Sequence, residues 1–142
     1  MDPIKHHVVT TWTKGRAFET STAGHSIIID TDEHAEQGAW PSPKRLLLSS
    51  LAGCTGVDVI DLLKKMRVTI TGFEMDTEAD LSDKHPKVYT VIRLIYRFYG
   101  ENLDRKKIEK AVKLSKEKYC GVSAMLEKNC PIEVLIEYYD SQ

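Results

Sequence analysis

Three cysteines, at positions 54, 120 and 130, are the residues of this chain whose types and spacing could do covalent chemistry. A thiolate is a nucleophile, a metal ligand and the first member of an oxidation series running through sulfenic acid. Zinc is not expected. The chain has no C-x-x-C and no histidine pair at helical ligand spacing, and adjacent His6 and His7 would point to opposite faces of a strand. A glycine-rich phosphate loop and a G-x-S-x-G elbow are also missing from the sequence, so no metal or bound cofactor is expected.

The three thiols differ in their surroundings. Cys54 lies at the centre of a run of small residues, Ser49, Ser50, Ala52, Gly53, Thr55 and Gly56. Two glycines inside a helix cost about 1 kcal/mol each relative to alanine, a loss that close approach of another backbone or a ligand would explain. An inert core cysteine is the plain alternative, because free cysteine is among the most buried residue types. Cys120 falls between two helical segments, close to the start of V-S-A-M-L-E-K, where free amides and the helix dipole would favour a thiolate. The other reading of Cys120 is a small residue at a helix–helix turn. Cys130 precedes Pro131 at a strand start and reads as a structural thiol.

The element that must position Cys54 runs from Ser42 to Arg67. Ser42 and Pro43 suit its start, while Lys64, Lys65 and Arg67 complement the negative end of its dipole. Its first half is apolar on every side, which predicts a buried helix. The stretch is long enough to span a bilayer, but Asp58 and Asp61 would each cost about 2.5–3.5 kcal/mol near the membrane centre. It therefore reads as the core helix of a soluble protein.

Around this helix the pattern predicts an α+β fold. Residues 7–13, 16–20 and 25–31 read as three antiparallel strands joined at Lys14-Gly15 and Ala23-Gly24. A polar, aperiodic stretch from Thr31 to Trp40 reads as a loop that could lie over the site near Cys54. Beyond the helix, 68–81 and 87–99 form a long hairpin, with Ile92, Leu94, Tyr96 and Phe98 on one face of its second strand. Asp104 caps a second helix, with Leu103 and Ile108 placed as a hydrophobic staple and Ile108, Ala111, Val112, Ser115 and Tyr119 as its inner stripe. A short helix over 122–128 and a strand over 132–139 complete the chain.

A length of 142 residues predicts a single domain, 1–142, able to bury its own core. The formal net charge of −1 gives no bulk attraction to nucleic acid or anionic lipid, and the lysines of the second helix read as a solvated face. No secretory or transit pattern opens the chain, and three cysteines do not make a secreted disulfide framework. A cytoplasmic location is expected, where a thiol pair is more often catalytic or metal-binding than structural.

Two segments resemble a known family. P-S-P-K-R-L-L-L-S-S-L-A-G-C-T is similar to the "P-x-x-L-L-A-A-L-A-G-C" helix of the OsmC/Ohr family, the osmotically inducible and organic-hydroperoxide-resistance proteins. Y-C-G-V-S-A-M-L resembles its "C-P-V-S-x-x-L" segment, in the same order along the chain. The resemblance covers roughly residues 8 to 139 and implies an OsmC-like fold, with antiparallel sheets around a long central buried helix in an intertwined homodimer. It also implies a thiol peroxidase acting on organic hydroperoxides in oxidative stress. Cys54 would become a sulfenic acid, Cys120 would close a disulfide with it, an external dithiol would reduce that disulfide, and Arg16 would be the cation near the reactive thiol. The chain departs from the pattern at Lys44, where the hydroperoxide-resistance branch has a glutamate holding that arginine, and at Gly121, often proline. Asp58, one turn beyond Cys54, would oppose a thiolate or instead hold Arg16. A non-catalytic thiol protein that binds a ligand or senses redox state on the same scaffold, and a structural dimer with inert cysteines, are the competing readings.

Overall fold

The computed structural model describes residues 2–30 and 40–141. The expected loop over 31–40 therefore lies, but for Trp40, outside the described residues. The chain divides into two compact units, Met1–Leu47 and Leu48–Gln142.

The first unit is an antiparallel sheet of β1 (Val9–Lys14), β2 (Ala17–Thr22) and β3 (His25–Asp30), in that order. The β2–β3 turn needs positive φ at both central residues, and Ala23 (49°) and Gly24 (80°) supply it. Alanine adopts that conformation at a steric cost that glycine avoids. Arg16 is exposed in the β1–β2 turn rather than on a strand.

The second unit begins within α1 (Pro43–Lys65), followed by β4 (Gly72–Leu81), β5 (Tyr89–Tyr99), α2 (Arg105–Leu114), a π-helical turn (Ser115–Tyr119), α3 (Gly121–Glu127) and β6 (Ile132–Tyr139). β5 is the middle strand. It pairs antiparallel with β4, and Ile92, Leu94, Tyr96 and Phe98 on its inner face are fully buried, as the alternation predicted. Phe73 of β4 stacks on Phe98 with ring centroids 4.6 Å apart. On the opposite face Arg93 bridges Glu78 and Asp80, while Arg97 bridges Glu74, Asp76 and Glu137.

One pairing departs from the antiparallel expectation. β6 runs parallel to β5, from Ile92↔Ile132 to Tyr99↔Tyr139. The intervening helices carry the chain back to the end where β5 began, as a parallel return requires. Asp104 caps α2 by accepting a hydrogen bond from the Lys107 amide at 3.2 Å, and Leu103 and Ile108 both join the core.

α1 spans 23 residues, roughly 35 Å, and by length and composition alone could cross a membrane. In the single chain only one stripe of it is buried: Leu51, Thr55, Gly56, Val59 and Leu63. This departs, in the single chain, from the expectation of burial all round its first half, for Leu47 is 46% and Val57 63% exposed. The glycines also separate. A Cβ on Gly56 would meet the Met75 methyl group at 2.7 Å, whereas one on Gly53 meets nothing within 4 Å. α1 ends through two bonds, Val68 N–H to Leu63 O at 2.9 Å and Arg67 N–H to Lys64 O at 3.2 Å, with Arg67 at φ 59°. Those bonds define a Schellman cap.

Candidate functional site

α1 and the segment after α2 bring two of the three cysteines together. Cys54 is half-buried on α1, next to the buried stripe, and Cys120 is 3% exposed. The π-helical turn explains the second placement. A continuous α-helix from Ser115 would put Tyr119, four residues on, over the inner stripe. Instead the Cys120 amide bonds the Ser115 carbonyl, five residues back, at 2.8 Å. The wider turn swings Tyr119 outward to 50% exposure and leaves Cys120 inside. Tyr119 is therefore not part of the inner stripe that the 3.6-residue period predicted. Such turns recur at functional sites.

Cys120 is the N-cap of α3, its sulfur accepting the Ser123 amide at 3.3 Å. That bond favours the thiolate, as the sequence led one to expect, but it is outweighed. Burial, followed by hydrogen bonding to the Cys54 side chain, pushes the Cys120 thiol up to about 11. The charges of Cys54 and Asp58 act in the same direction. Cys120 thus keeps its proton at neutral pH. The helix end alone therefore does not set the state of Cys120; burial outweighs it. The Ser123 hydroxyl beside it is buried without a hydrogen-bond partner among the described residues.

Three buried hydroxyls from three elements meet next to the thiols. Thr55 Oγ1 lies 2.6 Å from the Tyr96 hydroxyl and 2.7 Å from Ser115 Oγ, and Ser115 Oγ lies 2.9 Å from Asp58 Oδ2. Asp58 accepts from Ser115. Tyr96 is pushed up to about 12, chiefly by burial and against the lowering effect of its bond to Thr55. Sequence reasoning missed this cluster. Its signal was there to read: a hydroxyl at an inward position of each element, Thr55 between Leu51 and Val59, Tyr96 between Leu94 and Phe98, and Ser115 after Val112.

Cys130 is buried in the turn before β6. Arg16 and Lys44 are exposed residues of the first unit, Lys44 in the first turn of α1. No group of three or more histidine, cysteine or acidic residues able to hold a metal occurs among the described residues.

A long helix and a helix–π–helix segment, packed on a three-stranded mixed sheet, carry the thiol pair. The chain belongs to the OsmC family: the family model described as OsmC-like protein matches residues 36–135. It is similar to the protein YhfA of Escherichia coli K12, 33% identical over 118 residues that make up 82% of this chain and 86% of the relative. A crystal structure of a protein from Aquifex aeolicus VF5 superposes with a TM-score of 0.87 at 31% identity, covering 99% of this chain and 100% of that one. The organic hydroperoxide resistance protein OhrB of Bacillus subtilis shares the fold, with a TM-score of 0.65 at 18% identity over 94% of this chain and 98% of its own.

Proposed function

We propose that this protein is a thiol-dependent peroxidase that reduces organic hydroperoxides, with Cys54 as the attacking thiol and Cys120 as the resolving one. The observation that supports the reading is the pairing of a half-buried Cys54 on α1 with a buried Cys120 close enough to influence it. The Cys54 thiolate attacks the terminal oxygen of the hydroperoxide and the O–O bond breaks. The alkoxide takes a proton and leaves as the alcohol, and Cys54 becomes a sulfenic acid. Cys120 then attacks that sulfur, forming the disulfide and releasing water. An external dithiol reduces the disulfide by thiol–disulfide exchange. Arg16 enters as the charge partner of the Cys54 thiolate on the strength of its sequence motif.

The protein acts as a homodimer in this reading. The uncovered face of α1, with Val57, Ile60 and the open space at Gly53, supports a second copy there. A cytoplasmic location agrees with three thiols free of disulfides. Lys44 favours a second reading, a redox-sensing or ligand-binding thiol protein on the same scaffold, because an exposed cation cannot hold an arginine as the glutamate would.

Consumption of cumene hydroperoxide with a dithiol separates the two. Turnover in the native protein, abolished in Cys54→Ser and stalled after one equivalent in Cys120→Ser, is expected. A native protein whose Cys54 reacts with alkylating agents but consumes no hydroperoxide belongs to the second reading.

A further inference from the structure

The hydroxyl cluster beside the thiols has a direction. Asp58 presents only acceptor oxygens when ionised, so the Ser115 hydroxyl spends its proton on Asp58 Oδ2 at 2.9 Å. Ser115 Oγ must then accept from Thr55 at 2.7 Å, and Thr55 Oγ1 in turn accepts from the Tyr96 hydroxyl at 2.6 Å. The chain runs one way, Tyr96 to Thr55 to Ser115 to Asp58, and every hydroxyl in it has a partner. Thr55, Ser115 and Tyr96 are each 1% exposed or less, so breaking any link strands a buried polar group.

This chain ties together the two backbone segments that carry the thiols. Thr55 is the residue next to Cys54. Ser115 binds Thr55 Oγ1 and Asp58 on successive turns of α1, and also approaches the Thr55 carbonyl at 3.4 Å. On its other side the Ser115 carbonyl receives the Cys120 amide at 2.8 Å across the π-helical turn. An apolar trio could fill the same space, but oil-like contacts tolerate sliding, whereas directed hydrogen bonds in a dry interior admit one register.

We propose that Ser115 and Asp58 are positioning residues that hold Cys120 in register with Cys54, and so decide whether an oxidised Cys54 closes a disulfide or is oxidised again. The proposal rests on the peroxidase reading. A sulfenic acid at Cys54 has two fates. Cys120 condenses with it, forming S–S and releasing water, or a second hydroperoxide gives up an oxygen to it, leaving a sulfinic acid and an alcohol. The first fate depends on sulfur-to-sulfur geometry, and the second does not. A loss of register shifts the outcome toward sulfinic acid, since misplacement by about 1 Å slows a positioned reaction by on the order of a hundredfold.

The test is the ratio of Cys54 sulfinic acid to Cys54–Cys120 disulfide, read by intact-protein and peptide mass spectrometry after a fixed excess of cumene hydroperoxide. Asp58→Ala, at a half-exposed position that should fold, removes the acceptor; Ser115→Ala removes the link itself. Both are expected to raise the ratio about tenfold or more. Asp58→Asn keeps one acceptor oxygen for Ser115 while replacing the other with an amide, so it should stay near the native ratio. A mere loosening of the fold would not separate Asn from Ala. The native ratio in Asp58→Ala, or an equal rise in Asp58→Asn and Asp58→Ala, overturns the proposal, whether or not Ser115→Ala folds. If hydroperoxide does not oxidise Cys54 in the native protein, the peroxidase reading has failed. The same variants are then compared for diamide-driven disulfide closure: slower closure in Asp58→Ala but not Asp58→Asn sustains the register, and equal rates overturn it.

Discussion

At the scale of single residues, the surroundings of Cys120 set its chemistry. Cys120 is dry, hydrogen-bonded to Cys54 and near the Asp58 carboxylate, so it holds its proton up to about 11 instead of the ordinary 9.0. NMR titration of the Cys120 β-carbon should show no ionisation at neutral pH. In Cys54→Ala one raising influence is gone, so the midpoint should move down. A midpoint that does not move would mean that the two side chains do not interact in solution. Linkage gives the accompanying stability effect its sign. The folded thiol stays protonated where the unfolded one ionises, so this group's stabilising effect is present below 9 and is lost as pH rises toward 11. Chemical denaturation across that interval should show a smaller loss in Cys120→Ala, with the later alkaline fall due to Tyr96 remaining.

At the scale of elements, the ends and irregularities of the helices place the site. α1 stops in a Schellman cap whose C′ residue is Arg67 at φ 59°, a conformation that costs side-chain-bearing residues about 1–2 kcal/mol. Arg67→Gly should therefore raise stability by about 1 kcal/mol, read from the urea midpoint at unchanged slope. A loss of stability would show that the Arg67 side chain contributes more than its backbone strain removes. The π-helical turn is the complementary device. By spending one extra residue between Ser115 and Cys120 it brings a thiol, rather than Tyr119, to the inner face.

At the scale of the whole molecule, the open face of α1 is the least explained feature of a single chain. A helix with Val57 63% exposed and Gly53 facing empty space is half of an interface in the homodimer proposed above. Val57→Asp should leave the secondary structure intact and shift sedimentation from dimer to monomer, because a carboxylate buried without a partner costs several kcal/mol. Gly53→Ala sharpens the point. In a monomer it gains about 1 kcal/mol of helix stability, whereas across a close interface it weakens association. Sedimentation unchanged by both substitutions would assign the apolar face some other role.

Much of this protein was legible before any coordinates. β-branched composition, turn residues and, over 68–81 and 87–99, period-two alternation placed six strands, and apolar runs with end signals placed the principal helices. Asp104 as the cap of α2 and Ala23-Gly24 as a tight turn followed from purely local backbone needs. The two cysteine motifs, read together, pointed to the OsmC family. What the sequence could not decide was anything set by contact between distant segments. The parallel seat of β6 depends on the path of the helices before it. The exposed phase of Tyr119 depends on one inserted residue that no period predicts. The protonated state of Cys120 depends on burial and on Cys54, 66 positions away in sequence. Hydroxyls at positions 55, 96 and 115 are ordinary side chains one at a time. Only packing α1, β5 and the π-helical turn into one water-free interior makes them a directed chain, because a buried hydroxyl must take whatever partner the fold brings to it.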